Sequence, residues 1–130
     1  LPECIQPGLV EFLQACKARG LRLAALSDYP AEAKLQALGV AALFDVVLSA
    51  QDPDIDVFKP NPRGLLVTLE RLGSAAAQSL YVGDRVDVDV PTAEAAGMRC
   101  VIVTGRRAAK GPTAPLGVAD YCELQNLLFG

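Results

Sequence analysis

The segment Leu80-Tyr81-Val82-Gly83-Asp84-Arg85-Val86-Asp87-Val88-Asp89 decides the fold class of this chain. Its apolar run stops at Gly83, Asp84 follows at once, and Asp89 lies five residues further on. A buried strand, a tight turn and then carboxylates is the order in which an open α/β sheet places its chemistry. Carboxylates that converge at such an edge repel one another unless a cation lies between them. Oxygen ligands without histidine suit a hard ion such as Mg²⁺, so the segment predicts a metal site.

The composition predicts one globular domain over residues 1–130 and excludes two classes of function. The 130 residues are 52% hydrophobic and 21% charged, and the net charge is −3. These values are typical of a folded domain with a real core. Binding of nucleic acid is not expected, because the chain has no basic cluster beyond Arg106, Arg107 and Lys110. No apolar run approaches the roughly 20 residues that a membrane helix needs.

The cysteines and the missing histidine restrict the metal-binding and acid–base chemistry that the chain can carry out. The chain has no histidine, which removes the commonest zinc ligand and the commonest general base. No two cysteines have CxxC spacing, so we interpret all of them as small buried hydrophobes in a reducing cytoplasm. They are Cys4, Cys16, Cys100 and Cys122.

Helical and extended patterns alternate along the chain. Helices are predicted over residues 7–19, 31–38, 62–72, 90–96 and 123–129, and strands over 21–26, 45–49, 79–82, 99–103 and 118–121. This alternation predicts βαβ units and a parallel sheet. Right-handed crossovers bring the loops that follow the strands to one edge, so Ser27, the loop 52–59 and Asp84 are expected to meet there. Pro91 is expected in the first turn of its helix, where proline is tolerated.

Three motifs stand in a fixed order along these predicted strands. A strand ends in Ser27-Asp28, a loop carries Phe58-Lys59-Pro60-Asn61-Pro62, and a later strand ends in Gly83-Asp84 with Asp89 beyond it. Together they resemble the haloacid dehalogenase superfamily of hydrolases, in particular its phosphoglycolate phosphatase-like members. The resemblance implies a three-layer, Rossmann-like α/β fold with a parallel sheet and helices on both faces. Most members of that superfamily are Mg²⁺-dependent phosphatases.

The resemblance also implies a role for each matching residue. Ser27 matches the hydroxyl that hydrogen-bonds a phosphoryl oxygen, and Asp28 stands beside it in the phosphate-binding loop. Lys59 matches the lysine that neutralises charge on the nucleophile and the transferring phosphoryl group. Asp84 matches the aspartate that ligates Mg²⁺ directly, and Asp89 matches the second acid, which holds the metal's water shell or positions the lysine. These roles agree with phosphoryl transfer, which needs positioning and countercharge.

One part of the superfamily's pattern has no match after Leu1, namely the first strand and its nucleophilic aspartate. In the superfamily that strand lies in the middle of the sheet, between the strands predicted here over 21–26 and 79–82. We therefore expect the chain to be an excerpt in which an upstream segment supplies the central strand, the nucleophile and any cap. Without that strand two edges of the sheet would lie open. The implied activity is Mg²⁺-dependent hydrolysis of a small phosphorylated metabolite through an aspartyl-phosphate.

Several other functions stay open at this point. A 2-haloacid dehalogenase would use the same aspartate to displace halide without Mg²⁺, and a phosphomutase would return the phosphoryl group to its substrate. The pair Asp84 and Asp89 favours the metal-dependent chemistry over the dehalogenase. A noncatalytic binding module that lacks the nucleophile belongs to a different class. A phosphoacceptor receiver domain would need an acidic pair upstream of its acceptor, which neither Asp28 nor Asp84 has.

Overall fold

A computed structural model of the chain describes residues 8–28, 35–36, 39–57, 59, 61–104 and 117–130. Helices and strands alternate as predicted. In chain order they are α1 (Leu9–Ala18), β1 (Ala24–Ser27), β2 (Val46–Ser49), α2 (Arg63–Leu72), β3 (Leu80–Gly83), α3 (Val86–Ala96), β4 (Arg99–Val103), β5 (Gly117–Val118) and α4 (Tyr121–Phe129), with 3₁₀ helices at Ala41–Leu43 and Ala76–Gln78. Within the described ranges no helix has the length and apolar character to cross a membrane.

Some sequence predictions fall partly or wholly outside the described residues. Of the helix predicted over 31–38, only Leu35 and Gln36 are described, and both are helical. The basic segment with Arg106, Arg107 and Lys110 lies outside the described residues, as does Cys4.

The strands lie in two sheets, and every pair within each sheet is parallel. β1 pairs with β2, and β3 pairs with β4, which pairs with β5. The register sets Ser27 beside Ser49 and Gly83 beside Ile102, so the carboxyl ends of the strands coincide within each sheet. A groove of about 560 Å³ is lined by residues of both β1 and β3. Among the described strands, none pairs with both β1 and β3.

Helices cover both faces of the sheet and form its hydrophobic cores. On one face, α1 packs against α4 through Phe12, whose ring lies 5.5 Å from that of Tyr121 and 6.2 Å from that of Phe129. Val101 and Val103 of β4 belong to the same core. On the other face, Leu65 of α2 and Ala93 and Ala96 of α3 pack with Tyr81 and Cys100. The side chains of successive β4 residues thus point to opposite faces of the sheet, as the pleat of a strand requires. The predicted three-layer α/β fold is confirmed.

The prediction for the start of α3 was wrong by four residues. α3 begins at Val86, which makes Pro91 its sixth residue and places it inside the helix rather than in the first turn. The error came from Asp87 and Asp89, which are weak helix formers but are favourable near a helix N-terminus, where the backbone dipole is positive. This earlier start decides where the Asp89 side chain lies.

The remaining helix and strand bounds differ less, and one cysteine prediction was wrong. α4 begins two residues before the predicted start, at Tyr121, and β5 is confined to Gly117–Val118. Cys16 is buried and Cys100 is half-buried, whereas Cys122 is exposed. Cys122 lies on α4, a surface helix with few buried positions, and Leu124 is its one fully buried residue among those described. Burial raises the pKa of the Cys100 thiol to about 11.

Candidate functional site

The predicted site residues lie at the carboxyl ends of β1 and β3 and on the segments that follow these strands. Ser27 is the last residue of β1 and Asp28 follows it, while Asp84 comes directly after β3. Lys59 lies in the loop between β2 and α2, and Asp89 lies in the first turns of α3. Parallel strands send their carboxyl ends to the same edge, which is why five residues so far apart in sequence come near one another.

Lys59 and Asp89 form a buried ion pair at this edge. The Lys59 Nζ lies 2.9 Å from the Asp89 Oδ1, and the two side chains are 16% and 2% exposed. A charge removed from water to this degree is stable only if it is paired and its remaining hydrogen-bonding positions are filled. The partners of Asp89 therefore decide whether the pair can exist.

Asp89 has a donor at each of its carboxylate positions. Oδ1 accepts hydrogen bonds from the Lys59 Nζ at 2.9 Å and from the Tyr81 hydroxyl at 2.9 Å. Oδ2 accepts from the backbone N–H groups of Asp84 at 2.9 Å and Arg85 at 3.0 Å. A carboxylate offers about four lone-pair sites, so these donors account for all of them.

The ionised form of Asp89 is favoured despite its burial. Burial by itself acts to raise the pKa of this carboxyl group, but the hydrogen bonds from the Lys59 ammonium and the Arg85 N–H outweigh it. The net result is a pKa of Asp89 below its ordinary value. Asp89 is therefore a fixed negative charge that holds Lys59.

Gly83 allows the close approach between β3 and the Asp89 side chain. A Cβ atom added at Gly83 would lie 2.5 Å from the Asp89 Oδ2 and 2.6 Å from its Cγ. Real Cβ atoms do not make such contacts, so a larger residue would have to displace the carboxylate. Glycine at this position is explained by the space that Asp89 occupies, since glycine is the residue that lets a neighbour come this close.

The loop that carries Lys59 is held by hydrogen bonds on both sides. The Asp28 carboxylate accepts a long hydrogen bond of 3.4 Å from the backbone N–H of Lys59, which links the end of β1 to this loop. Earlier in the loop, the Ser49 N–H donates to Asp52 at 2.9 Å, and the Asp54 carboxylate pairs with Arg71 of α2. The backbone of Lys59 is thus tied to Asp28 at the end of β1, and its side chain to Tyr81 of β3 and Asp89 of α3.

Ser27 and Asp84 lie at the same edge, at the ends of β1 and β3. Ser27 is half-buried, and its backbone carbonyl accepts from the Ala50 N–H at 2.8 Å. The Asp84 side chain is exposed, and its link to the network is the backbone N–H that donates to Asp89. Over the residues that the structure describes, no group of three or more acidic or thiol side chains forms a ready-made metal site.

Tyr81 belongs to this network, and sequence reasoning missed it. It occupies the middle of β3, and its hydroxyl contacts both Asp89 and Lys59. A signal existed in the sequence, because a tyrosine within the apolar run of a buried strand needs a partner for its hydroxyl. In a strand, Tyr81 and Gly83 share a face, so the spacing also places the phenol on the side that Gly83 opens to Asp89.

The sequence of the chain is similar to a known family of hydrolases and to curated members of it. The family of haloacid dehalogenase-like hydrolases matches residues 2–97. The phosphoglycolate phosphatase of Rhodospirillum rubrum is 37% identical over an alignment of 124 positions, which covers 87% of this chain and 46% of that protein. The chain thus spans about half the length of the curated relatives it matches.

Solved structures with a similar fold belong to the same superfamily. The crystal structure of a HAD phosphatase from Thermococcus onnurineus has a TM-score of 0.86 and 29% identity, over 97% of this chain and 59% of that one. A 2-haloacid dehalogenase from Pseudomonas syringae pv. Tomato has a TM-score of 0.79 and 26% identity, over 94% of this chain and 52% of that one. With most of its length matched in sequence and in fold, the chain belongs to the haloacid dehalogenase-like hydrolases.

Proposed function

We propose that this chain carries the phosphate-binding and metal-binding part of an enzyme that hydrolyses a small phosphate monoester. The observation that supports this most directly is the Lys59 ammonium, held at 2.9 Å by a carboxylate that is 2% exposed, at the carboxyl-end edge of a parallel sheet. A positive charge fixed in this way is what a transferring phosphoryl group requires, because catalysis of that reaction is mostly positioning and charge stabilisation.

Each of the other edge residues has a separate task in this proposal. Ser27 donates a hydrogen bond to a phosphoryl oxygen, and Lys59 stabilises the negative charge of the group as it transfers. Asp28 supports both, because its carboxylate accepts the backbone N–H of Lys59 and so keeps this loop against the end of β1. Asp28 therefore acts on the shape of the phosphate site rather than on the phosphate itself.

Mg²⁺ is the cofactor in this proposal, and Asp84 is the residue that fits it. The Asp84 carboxylate is exposed at the strand edge, and carboxylate oxygens are preferred ligands of Mg²⁺. Asp89 does not fit as a direct ligand, because the four donors described above use its oxygens. We therefore assign Asp89 to positioning Lys59 and Asp84 to the metal. When bound, the ion would supply countercharge to the phosphoryl oxygens.

The nucleophile in this proposal is an aspartate on a further strand, which occupies the groove between β1 and β3. β1 and β3 both line this groove and run parallel to their neighbours. A strand that pairs in parallel with both would end at the same edge as Ser27 and Asp84, so its last residue would face the phosphate. Attack of that aspartate on phosphorus would form an aspartyl-phosphate and release the alcohol, and water would then cleave it to inorganic phosphate.

The strand part of the proposal has its own test. Amide hydrogen exchange of β1 and β3 is compared between the 130-residue chain and the full-length natural polypeptide. We expect slower exchange of both strands in the full-length protein, because a strand in the groove would pair with both. Equal exchange in the two samples would contradict the proposed strand.

The activity is tested on the full-length polypeptide with p-nitrophenyl phosphate and phosphoglycolate, with and without Mg²⁺. We expect release of inorganic phosphate that requires Mg²⁺ and is lost in Asp84→Asn. The matched control is Asp87→Asn, because Asp87 is also exposed, lies three residues away and pairs with Arg85 at 3.0 Å. Loss of the Mg²⁺-dependent phosphate release in both variants, or in neither, would contradict the role of Asp84.

Further assays on the same full-length polypeptide separate the other candidate functions. Halide release from 2-chloropropionate without Mg²⁺ would indicate a dehalogenase, a possibility that one of the matched structures keeps open. Conversion of one sugar phosphate into its isomer, followed by ³¹P NMR, would indicate a phosphomutase. Binding of Mg²⁺ without any turnover would indicate a noncatalytic module. The cytoplasmic location stays a prediction that depends on the spacing of the cysteines.

A further inference from the structure

The Tyr81 hydroxyl closes a triangle with the ion pair of the site. It lies 2.9 Å from the Asp89 Oδ1 and 3.1 Å from the Lys59 Nζ. An ammonium group has no acceptor and an ionised carboxylate has no donor. The hydroxyl therefore accepts a hydrogen bond from Lys59 and donates its own hydrogen to Asp89, so the direction of both bonds follows from the chemistry of the partners.

Tyr81 stays a neutral phenol in this position. Burial, and after it the charge of Asp89, raises the pKa of Tyr81 well above its ordinary value. A neutral hydroxyl can donate and accept at once, whereas a phenolate could only accept. The ammonium meets the hydroxyl rather than the face of the ring, because Nζ lies 5.9 Å from the ring centroid and 3.1 Å from the oxygen.

The triangle limits what the Lys59 ammonium can do. Of its three N–H groups, one is used by Asp89 and one by Tyr81, which leaves one for a bound anion. A single partner would hold Nζ at one distance but would let the group rotate. Two partners on separate elements, β3 and α3, fix both its position and its rotation, and the side chain is only 16% exposed.

We propose that Tyr81 is a positioning residue for phosphoryl transfer, whose hydroxyl acts with Asp89 to direct the third N–H of Lys59 towards the phosphoryl group. The expected effect of Tyr81 on the reaction rate rests on the proposed function. The coupling between Tyr81 and Lys59 rests only on the described contacts. Tyr81 is not expected to touch the substrate. Its effect on the reaction passes through Lys59.

The first test is a double-mutant cycle in activity on the full-length polypeptide, with p-nitrophenyl phosphate and saturating Mg²⁺. Tyr81→Phe removes only the hydroxyl and is expected to lower kcat about ten-fold, the size of one hydrogen bond to a charged group. The Mg²⁺ concentration for half-maximal activity should not change, because Asp84 is untouched. In a Lys59→Met background the same substitution should have no further effect on the residual rate.

Tyr121→Phe is the matched control, because it also removes a phenol hydroxyl from a half-buried position but lies on α4 against Phe12. Any change in its kcat should persist in the Lys59→Met background, because Tyr121 lines the groove proposed for the further strand and packs against Phe12. A kcat of Tyr81→Phe equal to that of the parent would overturn the inference. So would a ten-fold loss that persists in the Lys59→Met background, because Tyr81 would then act independently of Lys59.

The second test measures the same cycle in urea unfolding and does not depend on activity. We expect the unfolding midpoint of the double variant Tyr81→Phe/Lys59→Met to differ from the sum of the single shifts, because the two groups share a hydrogen bond. Additive shifts would overturn the coupling. A parent protein without phosphatase activity would contradict the proposed function and the effect on rate, whereas the unfolding cycle would still decide whether Tyr81 holds Lys59.

Discussion

Two lysine–aspartate pairs in this chain have the same length and very different surroundings. Lys17 of α1 and Asp45 before β2 lie 2.9 Å apart, as do Lys59 and Asp89. The first pair is 34% and 38% exposed at its side chains, whereas the second is 16% and 2% exposed. Exposed ion pairs contribute little to stability, while burial makes a broken pair costly. Distance alone therefore does not show which pair serves a site.

The hydrogen bonds around the two carboxylates make the same distinction. Asp45 accepts from Lys17 and from the Leu23 N–H at 2.8 Å, and water can reach the rest of its surface. Asp89 is out of reach of water and is held by Lys59, Tyr81 and two backbone N–H groups. The exposed pair joins α1 to the start of β2. The buried pair joins a loop, a strand and a helix at the edge where the chemistry is proposed.

Asp89→Asn is expected to have the largest effect of the substitutions that test this comparison. All partners of the carboxylate are donors, so an amide –NH₂ in its place must face either Lys59 and Tyr81 or the two backbone N–H groups. Loss of a buried charge partner costs about 3 kcal/mol. Urea unfolding measures the loss, and Asp45→Asn is the control because it makes the same change in the exposed pair. Equal shifts in the two variants would show that burial does not distinguish the pairs.

Gly83→Ala is expected to have the next largest effect. Its Cβ would overlap the Asp89 carboxylate at 2.5 Å, so the side chain or the strand must move, at a cost of about 2 kcal/mol. Activity should fall as well, because Asp89 holds Lys59. Gly20→Ala is the control, since its Cβ would have open space and its φ of +76° adds only about 1 kcal/mol of backbone strain. A Gly83→Ala variant with parental stability and activity would contradict the close packing.

The parallel α/β fold and its family could be predicted from the sequence because their signals are local. Apolar runs that end at Ser27 and at Gly83 mark strand ends, and the residues that follow them carry the motifs. These features depend on short segments and their order, which a sequence shows directly.

The internal geometry of the candidate site could be predicted only in part. The resemblance implied different roles for Asp84 and Asp89, but the sequence did not show that one side chain is exposed and the other only 2% exposed. The difference depends on the start of α3 at Val86, which the polar residues of its first turn obscured. The sequence signals that the Tyr81 hydroxyl needs a partner, but not which residues supply it, because Lys59 and Asp89 lie on two other elements and meet it only in the folded chain.

The smallest effect on stability is expected at the exposed pair. There, measurements at different pH and salt concentrations separate the two causes that lower the pKa of Asp45, namely the Leu23 N–H and the Lys17 ammonium. The Leu23 N–H, and after it the Lys17 ammonium, lowers the pKa of Asp45 below its ordinary value of 3.8. The folded state then binds fewer protons than the unfolded state, so this stabilisation is complete above pH 3.8 and disappears as the pH falls through the lower, folded-state pKa. Urea midpoints measured across this range should show the parent lose its advantage over Asp45→Asn.

Lys17→Met tests which of the two causes dominates. If the Leu23 N–H is the larger one, Lys17→Met should keep most of the acid dependence of stability that Asp45→Asn removes. It should, however, abolish the sensitivity of the urea midpoint to NaCl, because salt screens an exposed ion pair and hardly affects a short hydrogen bond from the backbone. The buried pair should show the opposite behaviour, with a midpoint difference between the parent and Asp89→Asn that stays constant as NaCl is raised. A salt-sensitive difference at Asp89 would mean that water reaches the Lys59 ammonium freely, and the division between the two pairs would then fail.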